Sequence, residues 1–77
     1  MEQLIRVIVQ ALVDHPDEIR IDAKEDERGI VYELSVHPSD VGKVIGKQGR
    51  IARALRTVVT SAAVREQKRV MLDIKSD

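Results

Sequence analysis

The stretch VIGKQGR, residues 44–50, sets Gly46 and Gly49 three positions apart with Lys47 and Gln48 between them. Two phosphate-binding motifs can be tested against it. A P-loop requires four residues between its first glycine and a Gly-Lys pair, then Ser or Thr; here Gly42 and Gly46 are separated by three, and Gln48 follows Lys47. A dinucleotide fingerprint requires a glycine two positions before Gly46 and a strand entering the loop, whereas position 44 is valine and the preceding segment reads as helix. What remains is a GxxG linker between two helices. Its glycines permit a tight turn and let a sugar-phosphate backbone approach without interference from a Cβ, and the N–H groups opening the second helix then face the phosphate. Taken alone, four such residues read more readily as an ordinary helix-to-helix turn.

The flanking charges bear on that choice. From Asp40 to Arg56 the chain carries Lys43, Lys47, Arg50, Arg53 and Arg56 against Asp40 alone, a local net of +4 in a chain whose formal charge is zero. A basic stripe on an otherwise acidic small chain is a localised footprint for a polyanion, or else a solvated helix face.

Before the loop, a short helix fits Asp40 to Ile45, with Ser39 or Pro38 placed to start it. Gly42 inside that helix costs about 1 kcal/mol relative to alanine and suggests another backbone in close approach. Beyond Gly49, Ile51, Ala52, Leu55, Val58, Val59, Ala62 and Ala63 fill one helical arc while Arg53, Arg56, Thr57 and Thr60 fill the other. Val70, Leu72 and Ile74 then alternate with Arg69, Met71 and Asp73 as a strand. Further upstream, Ile19, Ile21 and Ala23 alternate with Arg20, Asp22 and Lys24, the polar tip EDERG turns the chain at Gly29, and Ile30, Tyr32, Leu34 and Val36 continue as a second strand. At the N-terminus Met1, Leu4, Ile5, Ile8, Ala11 and Leu12 recur at helical spacing; Val7, Val9 and Val13 lie off that stripe and predict a helix in need of a second covering surface. The predicted order is α-β-β-α-α-β, an α+β fold in one domain over residues 1–77.

Composition narrows the function. Without cysteine there is neither a disulfide framework nor a thiolate metal site, which suits an intracellular, cytoplasmic protein. Glu2 and Arg6 interrupt the apolar N-terminal stretch, which is too short for a bilayer span of roughly 20 residues and is followed by no cleavage signal, so neither export nor a membrane is expected. Tyr32 is the sole aromatic residue, which excludes recognition by stacking platforms. Bases would contact aliphatic groups instead, with Val41, Val44 and Ile45 as candidates; core packing competes for all three. His15 and His37 each stand beside a proline as turn residues, no nucleophile is paired with a base, and Glu25, Asp26 and Glu27 read as a solvated hairpin tip. No catalytic, metal or cofactor site is expected.

The segment DVGKVIGKQGRIARALR resembles the signature of a KH domain, and α-β-β-α-α-β is the order of the type II, prokaryotic form, a three-stranded sheet covered on one face by three helices. The longer stretch VHPSDVGKVIGKQGRIARALRTVVTSAA is similar to the small stand-alone bacterial KhpA family. Ala52 departs from the bulky aliphatic many KH domains carry there, Ile51 coming one residue earlier. The resemblance implies an RNA-binding protein or RNA chaperone of low sequence specificity, with Gly46, Lys47, Gln48 and Gly49 clamping a single-stranded RNA backbone and bases in a groove between the two central helices and a sheet edge. Val41, Lys43, Val44, Ile45, Arg50 and Arg53 complete the candidate interface. The resemblance also implies self-association, or pairing with a larger KH-domain protein of the KhpB type. An assembly module that dimerises or docks on such a partner is the alternative function, favoured by the surplus apolar surface.

Overall fold

The parallel pairing of two strands decides the architecture. A computed structural model describes residues 1–75, with α1 (Glu2–Leu12), β1 (Arg20–Asp26), β2 (Gly29–Ser35), α2 (Val41–Ile45), α3 (Arg50–Glu66) and β3 (Val70–Ile74). β1 and β2 form an antiparallel hairpin from Arg20 opposite Ser35 to Asp26 opposite Gly29. β2 and β3 run parallel, Ile30 opposite Val70 through Leu34 opposite Ile74, in the sheet order β1-β2-β3. Parallel neighbours cannot be joined by a tight turn. The whole segment from His37 to Arg69, including the GxxG loop, is therefore a crossover between adjacent strands.

Alternation along the strands supplies one apolar face: Ile21, Leu34, Val70 and Leu72 are buried against Ile5 and Val9 of α1, Val44 of α2 and Leu55, Val59 and Ala63 of α3. Complete burial of side chains such as Ile5 and Leu34 stabilises by about 1.5–3 kcal/mol each. The other sheet face carries Asp22, Glu33 and Asp73 in register. Lys24 and Lys75 relieve that like-charge row, at 2.9 and 3.9 Å from the Glu33 carboxylate. At the hairpin tip Asp26 Oδ1 accepts from the N–H groups of Arg28 and Gly29, at 2.7 and 3.2 Å, so the acidic run forms a turn.

Two expectations about the elements are corrected. Val9 and Val13 are buried, whereas Leu4, Val7 and Ala11 are exposed, Val7 by 64%. More than half the girth of α1 is apolar, so periodicity alone leaves its rotation undetermined; packing on the sheet selects the Ile5–Val9 ridge. The spare apolar surface exists, but it lies on the Leu4 side. In β1 burial stops after Ile21, leaving Ala23 exposed, because this edge strand continues beyond the core.

Candidate nucleic-acid interface

α2 is only five residues long and stops at Gly46, whose backbone (φ 77°, ψ 173°) leaves helical space. Lys47 to Gly49 form a single tight turn, with Gln48 at φ 59° and Gly49 at φ 73°, before α3 begins at Arg50. The two glycines are required for different reasons. A Cβ at Gly46 would lie 2.6 Å from Ile51 Cγ1 and 2.9 Å from Ile51 Cβ and N, so space as well as φ excludes a side chain. A Cβ at Gly49 would meet nothing within 4 Å, and only its left-handed backbone demands glycine. Gln48 also holds a left-handed conformation, unusual for a residue with a Cβ.

The turn uses some of its amides on itself: Gly46 N–H donates to Gly42 O at 2.8 Å, Gly49 N–H to Gly46 O at 3.2 Å, and Arg50 N–H to Lys47 O. The side chains of Lys47 and Gln48 are exposed, as are those of Arg50 and Arg53 on the first turns of α3. The loop thus presents three cations, Lys47, Arg50 and Arg53, at the positive end of a 17-residue helix.

Two of the candidate residues are occupied elsewhere. Val44 is fully buried in the core and cannot touch a base; Val41 and Ile45 are half-buried, packed against the core with part of each side chain accessible. Lys43 pairs with Asp14 and lies 3.6 Å from Asp40 Oδ1. The hydrogen bond to Asp14 raises its pKa above the ordinary value against the opposing effect of desolvation. In the free chain its ammonium thus lies between two carboxylates of the protein.

Asp40 is the centre of that arrangement and carries no signal in the sequence beyond its place before α2. It is completely buried, accepting from Asp14 N–H at 3.2 Å and His15 N–H at 2.9 Å, with His15 Nδ1 at 3.1 Å. Burial pushes its carboxyl up, but these bonds outweigh it and the net shift is downward. The His15 ring stacks on His37 at 4.1 Å, and His37 Nδ1 accepts from Ser39 N–H at 3.1 Å. The two histidines so tie the end of α1 to the start of α2. Among the described residues no group of His, Cys, Asp and Glu could hold a metal ion.

Arg56, opposite the loop along α3, was legible only as part of the basic stripe. Its Nε donates to Leu72 O at 3.3 Å. Arg69 O and Lys75 N–H face β2, bonding Ile30 N–H and Leu34 O at 2.9 Å each. By alternation the Leu72 carbonyl lies on the free edge of β3. Arg56 therefore bridges α3 to the unpaired edge of β3.

A hairpin, a helix–GxxG–helix crossover and a parallel third strand define a KH domain of the type II order. A family model described as KhpA/KhpB, KH domain, matches residues 2–74. A protein of Halalkalibacterium halodurans named RNA-binding protein KhpA is 55% identical over 74 residues, covering 96% of this chain and 97% of its own. Proteins of the same name from Clostridium acetobutylicum and Bacillus subtilis are each 54% identical, covering 96% of this chain and 99% and 91% of their own lengths. The chain belongs to the KhpA/KhpB family of KH domains, a KH family and not an enzyme family.

Proposed function

We propose that this chain binds single-stranded RNA, with residues 1–77 acting as one KH unit and Gly46 to Gly49 clamping the sugar-phosphate backbone. The observation that carries the reading is the loop itself: exposed Lys47 and Gln48 held between two positive-φ glycines at the mouth of a basic helix. The naming of its relatives as RNA-binding proteins supports it. Lys47, Arg50 and Arg53 take phosphates, while Val41 and Ile45 offer aliphatic contacts to bases in the groove towards β3. With no aromatic platform, affinity is modest and sequence preference loose, which suits an RNA chaperone in the cytoplasm.

The test is the double substitution Lys47→Asp, Gln48→Asp. It moves the loop charge from +1 to −2 beside a phosphate. Unit charges about 4 Å apart interact by roughly 1 kcal/mol in water and several times that at a partly desolvated surface. Aspartate tolerates the left-handed backbone at position 48, so the melting temperature and circular dichroism should stay close to the parent while RNA binding disappears. Parental affinity in the double variant would refute the clamp.

A second activity is favoured by one surface. Leu4, Ile8 and Leu12 of α1 and Ile51, Ala54, Val58 and Ala62 of α3 line adjoining hollows between the two helices, together with Arg50, Ser61, Arg65 and Glu66. A second copy of this chain, or the KH unit of a KhpB-type protein, would cover this strip.

A further inference from the structure

We propose that Ile51 is the positioning residue of the clamp: its β-branched side chain is the wall on which Gly46 turns, and it thereby fixes where Lys47 and Gln48 stand. The inference rests on the RNA-clamp reading above. Gly46 is the point where the chain leaves α2, and its backbone lies so close to Ile51 that a Cβ there would be 2.6 Å from Cγ1. Backbone bonds hold the turn as well, from Gly46 to Gly42, from Gly49 to Gly46 and from Arg50 to Lys47. Against them, Gln48 holds a left-handed conformation that disfavours side chains, and the Gly49 end has no neighbour within 4 Å of where a Cβ would stand.

Ile51 is suited to the role because its own position is secured from two sides. It belongs to the first turn of α3, where a β-branched residue has one strongly preferred χ1. Its side chain is half-buried, packed against the core, and lines the hollow shared with Ile8, Leu12, Ala54 and Val58. A stiff side chain anchored in a 17-residue helix makes a fixed stop, so the loop is shaped before RNA arrives and less ordering falls on the binding step. The neighbouring Ala52 is buried and small, and leaves this work to Ile51.

The test compares Ile51→Val, Ile51→Leu and Ile51→Ala for affinity towards a single-stranded RNA of about six nucleotides, enough for one clamp only. Valine keeps both γ-carbons and the stiff χ1; leucine keeps the apolar volume but loses the branch at Cβ. The expected order of affinity is Ile and Val alike, then Leu, then Ala, with Ala weaker by roughly fivefold because loop ordering is added to binding. Amide exchange at Gly49 should accelerate in the same order, and melting temperature should instead follow side-chain volume, with Leu above Val. Affinity that tracks melting temperature, or an Ala variant that binds like the parent, would overturn the proposal. Should Ile51→Ala fail to fold, the order of Val and Leu decides. Loss of binding in the Lys47→Asp, Gln48→Asp variant together with parental affinity in Ile51→Ala would remove Ile51 and leave the clamp; parental affinity in the double variant would remove both.

Discussion

Asp40 and Lys43 show how single residues near the loop are divided between holding the fold and meeting a ligand. Asp40 is an anion at the foot of a basic segment, yet it is buried and fully engaged by Asp14 and His15. Its folded pKa lies below the unfolded value of 3.8, so its contribution to stability is present above that value and is lost as pH falls through the lower, folded one. Replacing Asp40 with asparagine removes the charge-assisted bonds and should lower the melting temperature by roughly 5–10 °C at neutral pH. It should also flatten the acid limb of the parent's stability curve below about pH 4, read by thermal melts from pH 2 upward. Lys43 leads to a prediction about salt. If Lys47, Arg50 and Arg53 take phosphates as proposed and Lys43 stays with Asp14, log affinity for RNA should fall against log salt with a slope near −2, about −0.7 per phosphate. Arg53→Met should reduce that slope by roughly 0.7 and Lys43→Met should leave it unchanged; equal changes in both, measured by titrations at several salt concentrations, would return Lys43 to the interface.

At the scale of the element, α2 is a helix too short to be stable alone. It is fastened at one end by the Asp40 and histidine contacts, at the centre by Val44, and at the other end by the glycine exit onto Ile51. Gly42 reads in the sequence as a point of close backbone approach, but it is exposed and a Cβ there would meet nothing within 4 Å. Its backbone is ordinary helix, so Gly42→Ala should stabilise the fold by about 0.5–1 kcal/mol, a rise of several degrees in melting temperature. The same substitution at Gly46 should be strongly destabilising, since it meets both Ile51 and a positive φ. A melting temperature lowered by Gly42→Ala would show that α2 is more crowded than its surroundings indicate.

For the whole molecule, the strip between α1 and α3 is one apolar surface that the folded single chain leaves uncovered. Val58 stands within it, 38% exposed. Sedimentation should show the parent as a dimer at tens of micromolar, an affinity of about −6 to −7 kcal/mol, and Val58→Glu as a monomer with an unchanged fold, because the added charge points to solvent in the lone chain and is buried in the pair. A parent that stays monomeric at those concentrations would refute self-association through this strip.

Local periodicity and spacing were sufficient for the order of elements, for the loop between Gly46 and Gly49, and for the basic face of α3, because each is written in residues close along the chain. Ala52, Leu55, Val59 and Ala63 of the apolar arc of α3 are buried as read, since its polar and apolar halves are distinct, whereas Val58 on the same arc is 38% exposed. The rest needed the folded chain. An α1 that is apolar over more than half its girth could be rotated only by packing, so Val9 and Val13 went inward and Val7 outward. Val44 and Lys43 lost their places at the interface to the core and to Asp14, a residue 29 positions away. His15 and His37 became a stacked pair at Asp40, and Ile51 became the wall of Gly46, through contacts that depend on where the crossover brings α1, α2 and α3 together. Charge and hydrophobicity are properties of residues, but whether a charge is free or a side chain is accessible is settled by neighbours that only tertiary structure supplies.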